Sequence, residues 1–217
     1  MFWTDARLHE HGLQPPARRV RIPDAPQHVA EVLDAALAAK PNAIAIVGRS
    51  GKLTFGEADA HVNAAAALLQ TLGIRQGDRV AASAPNDLAI VVAFLATQRL
   101  GAIWVGINRN YGLGEKRYLL SDSGASCFLG DAETIAEVRG IASELPALTH
   151  LVELDDNEDS AWAHGIAAHA GAARPGIEID PWAPAAIAYT SGTTGLPKGA
   201  VHSQHNMMVA ATLAEHM

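Results

Sequence analysis

Short, mostly apolar runs separated by stretches with helical periodicity limit this chain to one class of fold. Arg79 to Ala84, Ala102 to Ile107, Ala125 to Leu129, His150 to Leu154 and Ala185 to Tyr189 each read as a strand buried on both sides. The segments between them carry helix punctuation. Thr54-Phe-Gly-Glu57 has the capping-box spacing, with Ala58, Val62, Ala65, Ala66, Leu69 and Leu72 following on one face and Gly73 closing the helix. Pro85-Asn86-Asp87 opens a second, strongly apolar helix ending near Leu100-Gly101. Glu115 to Ser121 and Asp131 to Glu144 read as two more, and Pro26 to Lys40 as another near the start. Ala43 to Val47 and Lys52 to Thr54 pair as a hairpin around Gly48–Gly51. Residues 155–184 read as loop. Strands alternating with helices predict an α/β fold, a parallel-type sheet layered with helices on both faces. In open sheets of this kind ligands collect beyond the carboxyl ends of the strands.

The most distinctive stretch lies at one such end. The run Ala185–Tyr189 opens into Thr190-Ser191-Gly192-Thr193-Thr194-Gly195-Leu196-Pro197-Lys198-Gly199, and the apolar pair Ala200-Val201 follows. Glycines let a backbone approach an oxyanion and turn successive N–H groups toward it. The hydroxyls of Thr190, Ser191, Thr193 and Thr194 add neutral donors, and Lys198 adds a mobile positive charge. Pro197 stiffens the chain just before the lysine. The order is not G-x-x-x-x-G-K-[ST], because Lys198 precedes Gly199, and it is not G-x-G-x-x-G. A plain Gly/Thr-rich turn between two strands explains the composition equally well.

Composition narrows the alternatives. Hydrophobic residues make up 49% of the 217, enough for one sizeable core. The net charge of −7 without a basic stripe argues against a nucleic-acid partner. Cys127, the single cysteine, lies in an apolar run and forms no internal disulfide, which fits a reducing, cytoplasmic setting. The first residues lack a signal-peptide pattern, and Leu88 to Ala96 is too short an apolar run to span a membrane. Neither His9-Glu10-His11 nor His202 with His205 has the spacing of a metal site, so no metal ligands are assigned.

Tyr189 to Gly199, read as Tyr-Thr-Ser-Gly-Thr-Thr-Gly-Leu-Pro-Lys-Gly, resembles the signature of the adenylate-forming (AMP-binding) enzymes of the acyl-CoA synthetase type. Leu53–Glu57, Leu72–Val80, Pro85-Asn86, Leu100-Gly-Ala102 and Ser121–Ala125 resemble the opening of those enzymes in order and spacing. The resemblance implies that residues 26–217 are the N-terminal portion of an AMP-binding domain, part of the large domain, behind a leader of residues 1–25. It implies a ligase that uses ATP, Mg2+ and coenzyme A to activate a carboxylic acid as acyl-AMP and transfer it to the thiol. Thr190, Ser191, Gly192, Thr193, Thr194, Gly195 and Lys198 would hold the ATP phosphates. The family's downstream adenine, ribose and hinge motifs, and the C-terminal lysine that stabilises the adenylation transition state, do not occur in this sequence. The expectation is therefore an N-terminal fragment with no catalytic residue of its own, inactive alone, and prone to self-association through exposed core. Many relatives carry Thr/Ser-His-x-Asn after the loop; here Ser203-Gln204-His205-Asn206 puts Gln204 in the acyl-pocket position. His205 reads as a polar residue near a helix start, with Asn206 as that helix's N-cap. Two other readings stay open: a truncated, non-catalytic nucleotide-binding or scaffold module, and a peptide-synthetase-type adenylation fragment.

Overall fold

A computed structural model describes residues 4–15, 19–21, 23, 25–190 and 195–215, without the side chains of 211–215. In chain order the elements are α1 (Asp5–Glu10), α2 (Asp34–Ala39), β1 (Ile44–Val47), β2 (Lys52–Thr54), α3 (Phe55–Thr71), β3 (Arg79–Ser83), α4 (Leu88–Arg99), β4 (Ile103–Gly106), α5 (Leu113–Ser123), β5 (Cys127–Gly130), α6 (Ala132–Gly140), β6 (His150–Glu153), α7 (Ala161–Ala168), β7 (Pro184–Thr190), β8 (Lys198–Ser203) and α8 (Gln204–Glu215).

The main sheet has the order β6-β5-β3-β4-β7-β8. Every neighbouring pair from β6 to β7 is parallel, and β8 runs antiparallel to β7 at the edge. Alternation along the strands divides the core. Val80 and Ala82 of β3 with Cys127 and Leu129 of β5 face one layer, built on α3 and α4. Ala81 and Phe128 face the other, built on α5 and α6 through Leu119, Leu120, Ile135 and Val138. The expected parallel-type sheet, layered with helices, is present.

Local chemistry sets the element ends. Thr54 accepts from the Glu57 N–H and Glu57 Oε2 from the Thr54 N–H, which completes the capping box. Gly73, at φ +81°, takes the left-handed conformation that ends α3. Gly124, at φ +60°, does the same for α5. Burial links helices by charge as well: Arg99 of α4 is 3% exposed and bonds Asp59 and Asn63 of α3.

Several expectations need correction. The helix expected over Pro26–Lys40 is two pieces, a 3-10 turn at Val29–Glu31 and then α2. The Val29 N–H bonds the Gln204 side chain, so tertiary contact takes a donor that a continuous helix would use. The stretch over 155–184 is not all loop. It holds α7, capped by Ser160 accepting from the Ala163 N–H and fixed by the buried Trp162. The helix expected over Asp131–Glu144 stops at Gly140 and passes into a 3-10 turn at Ala142–Glu144. Asn206 lies within the first turn of α8, and the Ser203 hydroxyl receives the Asn206 N–H, so the cap lies three residues earlier than expected.

Candidate functional site: the β7–β8 hairpin

β7 and β8 form a hairpin whose tip lies at the carboxyl end of β7. The Cα partners run from Ala186↔His202 to Tyr189↔Gly199 and Thr190↔Lys198. Thr190 and Lys198 therefore face each other across the base of the tip, both exposed. Gly195 is exposed in the tip itself. Ser191, Gly192, Thr193 and Thr194, the remaining expected phosphate contacts, lie outside the described residues. The plain-turn reading and the phosphate reading thus meet in one object: the segment is a two-stranded turn, and it stands where an open α/β sheet presents its ligands.

Gly199 has a packing reason. A Cβ there would lie 2.8 Å from Ile187 Cγ2 and 3.2 Å from the Tyr189 ring, so only glycine lets the ring lie across the strand pair. Tyr189 donates to Asp122 Oδ2 on α5 at 2.7 Å. Burial, with the hydrogen bond and charge of Asp122 added, pushes the Tyr189 phenol above its ordinary range, so it remains the donor at physiological pH. The other leg is held as well: Tyr118 of α5 donates to the Pro197 carbonyl at 3.0 Å. Asp122 lies in the Ser121–Ala125 stretch that resembles the family, but its spacing gave no sign of this contact, nor of Tyr118. The available signal was their i, i+4 separation on one face of a short helix.

One strand away, a cleft of about 850 Å³ opens at the carboxyl ends of β3 and β4, walled by Arg49, Pro85, Asn86, Trp104, Arg109 and Asn110. Arg109 is directed to Asp131, with Nε at 3.0 Å and Nη2 at 2.7 Å from the same oxygen. Burial raises the Asp131 carboxyl, but hydrogen bonds from Thr134 and Arg109 outweigh it and hold the group below its usual range.

Gln204 lies elsewhere. It is fully buried, accepting from the Val29 N–H at 2.9 Å and donating to Gln98 Oε1 at 2.9 Å, while Gln98 donates to the Ala185 carbonyl at 3.1 Å. Its amide thus ties α8 to α4, β7 and the 3-10 turn. The His205 ring lies 4.4 Å from that of Trp182, tilted by 44°, and burial lowers its basicity. Cys127 is fully buried and its thiol is pushed up to about 12 by desolvation, which leaves it unreactive. Among the described residues no three His, Cys, Asp or Glu side chains gather as a metal site, and no helix is long and apolar enough to cross a membrane.

Comparison with known proteins agrees with the fold. The family described as AMP-binding enzyme matches residues 33–217. The 4-coumarate–CoA ligase 5 of Oryza sativa subsp. japonica is 33% identical over 199 residues, covering 88% of this chain and 36% of its own length. The long-chain-fatty-acid–CoA ligase FadD13 of Mycobacterium tuberculosis is 32% identical over 164 residues, covering 74% of this chain and 31% of its own. The chain therefore spans about a third of the length of these relatives. The anthranilate CoA ligase AuaEII, solved with anthranoyl-AMP, superposes with a TM-score of 0.79 at 25% identity, over 88% of this chain and 36% of that one. On the matched residues and the shared fold, the chain belongs to the AMP-binding enzyme family.

Proposed function

We propose that this chain is the N-terminal part of an ATP-dependent acid–thiol ligase, and that its β7–β8 hairpin holds the β- and γ-phosphates of ATP. The observation that carries the reading is the hairpin itself, with Thr190 and Lys198 paired at its base beyond the carboxyl end of a parallel strand. In the reaction a carboxylate oxygen attacks the α-phosphorus, the bond to the β-phosphate oxygen breaks, and pyrophosphate leaves. The thiol of coenzyme A then attacks the acyl carbon and AMP departs. The part assigned to this chain is to neutralise and fix the leaving pyrophosphate. Lys198 supplies charge, and Thr190, Ser191, Thr193 and Thr194 supply hydroxyl donors beside the backbone N–H groups of Gly192 and Gly195. From Thr190 to Gly199 there is no carboxylate. This donor set suits phosphate oxygens and supplies no anionic ligand for Mg2+, which enters with the nucleotide.

Calorimetric titration of the chain with Mg-ATP and with pyrophosphate, wild type beside Lys198→Ala, tests the assignment. A charged hydrogen bond contributes about 1.5–3 kcal/mol, so the substitution should weaken binding roughly tenfold to a hundredfold. Equal affinity of the two proteins would remove Lys198 from the phosphate site.

A further inference from the structure

Among the described residues, two side-chain hydrogen bonds join the end of the hairpin to one helix, α5. Tyr118 and Asp122 lie four residues apart on α5, so they share a face one turn apart. Tyr118 Oη donates to the carbonyl of Pro197, the residue before Lys198. Asp122 Oδ2 accepts from Tyr189 Oη, on the residue before Thr190. The two contacts therefore flank the Thr190↔Lys198 pair, at Tyr189 on its strand side and at Pro197 on its tip side. The helix behind them is itself fixed. Leu119 and Leu120 are 1% and 2% exposed in the core layer built on α5 and α6, Lys116 pairs with Glu137 of α6 at 2.8 Å, and Glu115 caps the helix start by accepting from the Gly112 N–H at 2.9 Å. Tyr118 and Tyr189 also pack their rings against that core layer, so their hydroxyls sit on rigid supports. Gly199 completes the arrangement by leaving room for the Tyr189 ring.

We propose that Tyr118 and the Asp122–Tyr189 pair are positioning residues that set the aim of the hairpin, with α5 as its mount. This rests on the reading that the hairpin holds phosphate. In this role the two hydroxyls bond protein groups and need not meet the phosphate. They fix the direction of the Pro197–Lys198 peptide and the height of Thr190, and so the place where Lys198 meets an oxyanion. A donor set held in advance loses less freedom on binding than one that must be ordered by its ligand.

Tyr118→Phe and Tyr189→Phe keep the rings and remove only the hydroxyls. Pyrophosphate is the probe, read by calorimetry and by the backbone amide resonances of Thr190, Lys198 and Gly199, with the thermal midpoint measured on the same samples. The expected result is a loss of about threefold to tenfold in pyrophosphate affinity for Tyr118→Phe, the size of one neutral hydrogen bond, and at least as much for Tyr189→Phe, whose partner is a carboxylate. The double variant should lose more. The hairpin amides should shift without ligand while the resonances of α3 and α4 stay in place, a pattern that general destabilisation does not produce. If Lys198→Ala weakens pyrophosphate but both phenylalanine variants bind as wild type does, the mount is overturned and the phosphate reading stands. If the wild-type chain binds no pyrophosphate, the phosphate reading fails for this chain and the amide resonances decide the mount alone. Hairpin amides unmoved in Tyr118→Phe overturn it, and displaced ones support it.

Discussion

At the scale of single residues, the motif separates into groups with different work. Lys198 and Thr190 face solvent at the mouth of the hairpin, where a ligand can reach them. Gly199 is required by packing, because a methyl group there meets Ile187 and the Tyr189 ring. Gly199→Ala should therefore destabilise the fold by about 1–3 kcal/mol, the range for overpacking, even though the position is exposed to solvent. Urea denaturation measures this, and a midpoint equal to wild type would mean that the ring moves aside freely. Lys198→Ala should leave that midpoint unchanged while weakening pyrophosphate. The two substitutions thus part the structural glycine from the lysine proposed to hold phosphate, one position away in sequence.

At the scale of elements, the start of α4 shows how neighbouring segments share a charge problem. Asp87 accepts from the Leu88 N–H at 2.9 Å and from the Ser50 hydroxyl at 2.7 Å, while Asp156, from the loop after β6, accepts from the Ala89 N–H at 2.8 Å. Two carboxylates at one helix N-terminus suit its dipole but repel each other. Burial, with the charges of Asp87 and Asp155 added, raises the Asp156 carboxyl above its ordinary value. A raised carboxyl favours folding while it is protonated, below the unfolded value of about 3.9. That contribution is lost as pH rises through the folded value. Asp156→Asn keeps an acceptor for Ala89 and cannot titrate. Its thermal midpoint relative to wild type should therefore be higher at about pH 7 than at about pH 4. The same difference at both values would show that the charge of Asp156 costs the fold nothing.

At the scale of the whole molecule, stability comes from a sheet covered on both faces. Phe128, at the centre of β5, is fully buried, and its ring leaves a Cβ at Gly130 only 2.9 Å of room. Phe128→Ala should cost about 3–5 kcal/mol, seen as a lower urea midpoint at an unchanged slope. A loss under about 1 kcal/mol would mean that α5 and α6 collapse into the space. The same layer carries α5, so damage there should also loosen the hairpin tip.

Alternation of apolar runs and capped helices sufficed for the layered α/β class, for α3 with its capping box, and for the position of the hairpin, because burial on both sides and local capping are written in neighbouring residues. The order of Tyr189 to Gly199 sufficed for the family. Tertiary structure decided what depends on distant partners. Val29 gives its N–H to Gln204, 175 positions away, and so the first expected helix breaks. Trp162 is buried in the layer of α3 and α4, and that contact fixes where α7 packs. Tyr118 reaches Pro197 across 79 positions. No local pattern encodes such pairs, because a hydrogen bond across the fold constrains two residues whose own neighbours carry no trace of it.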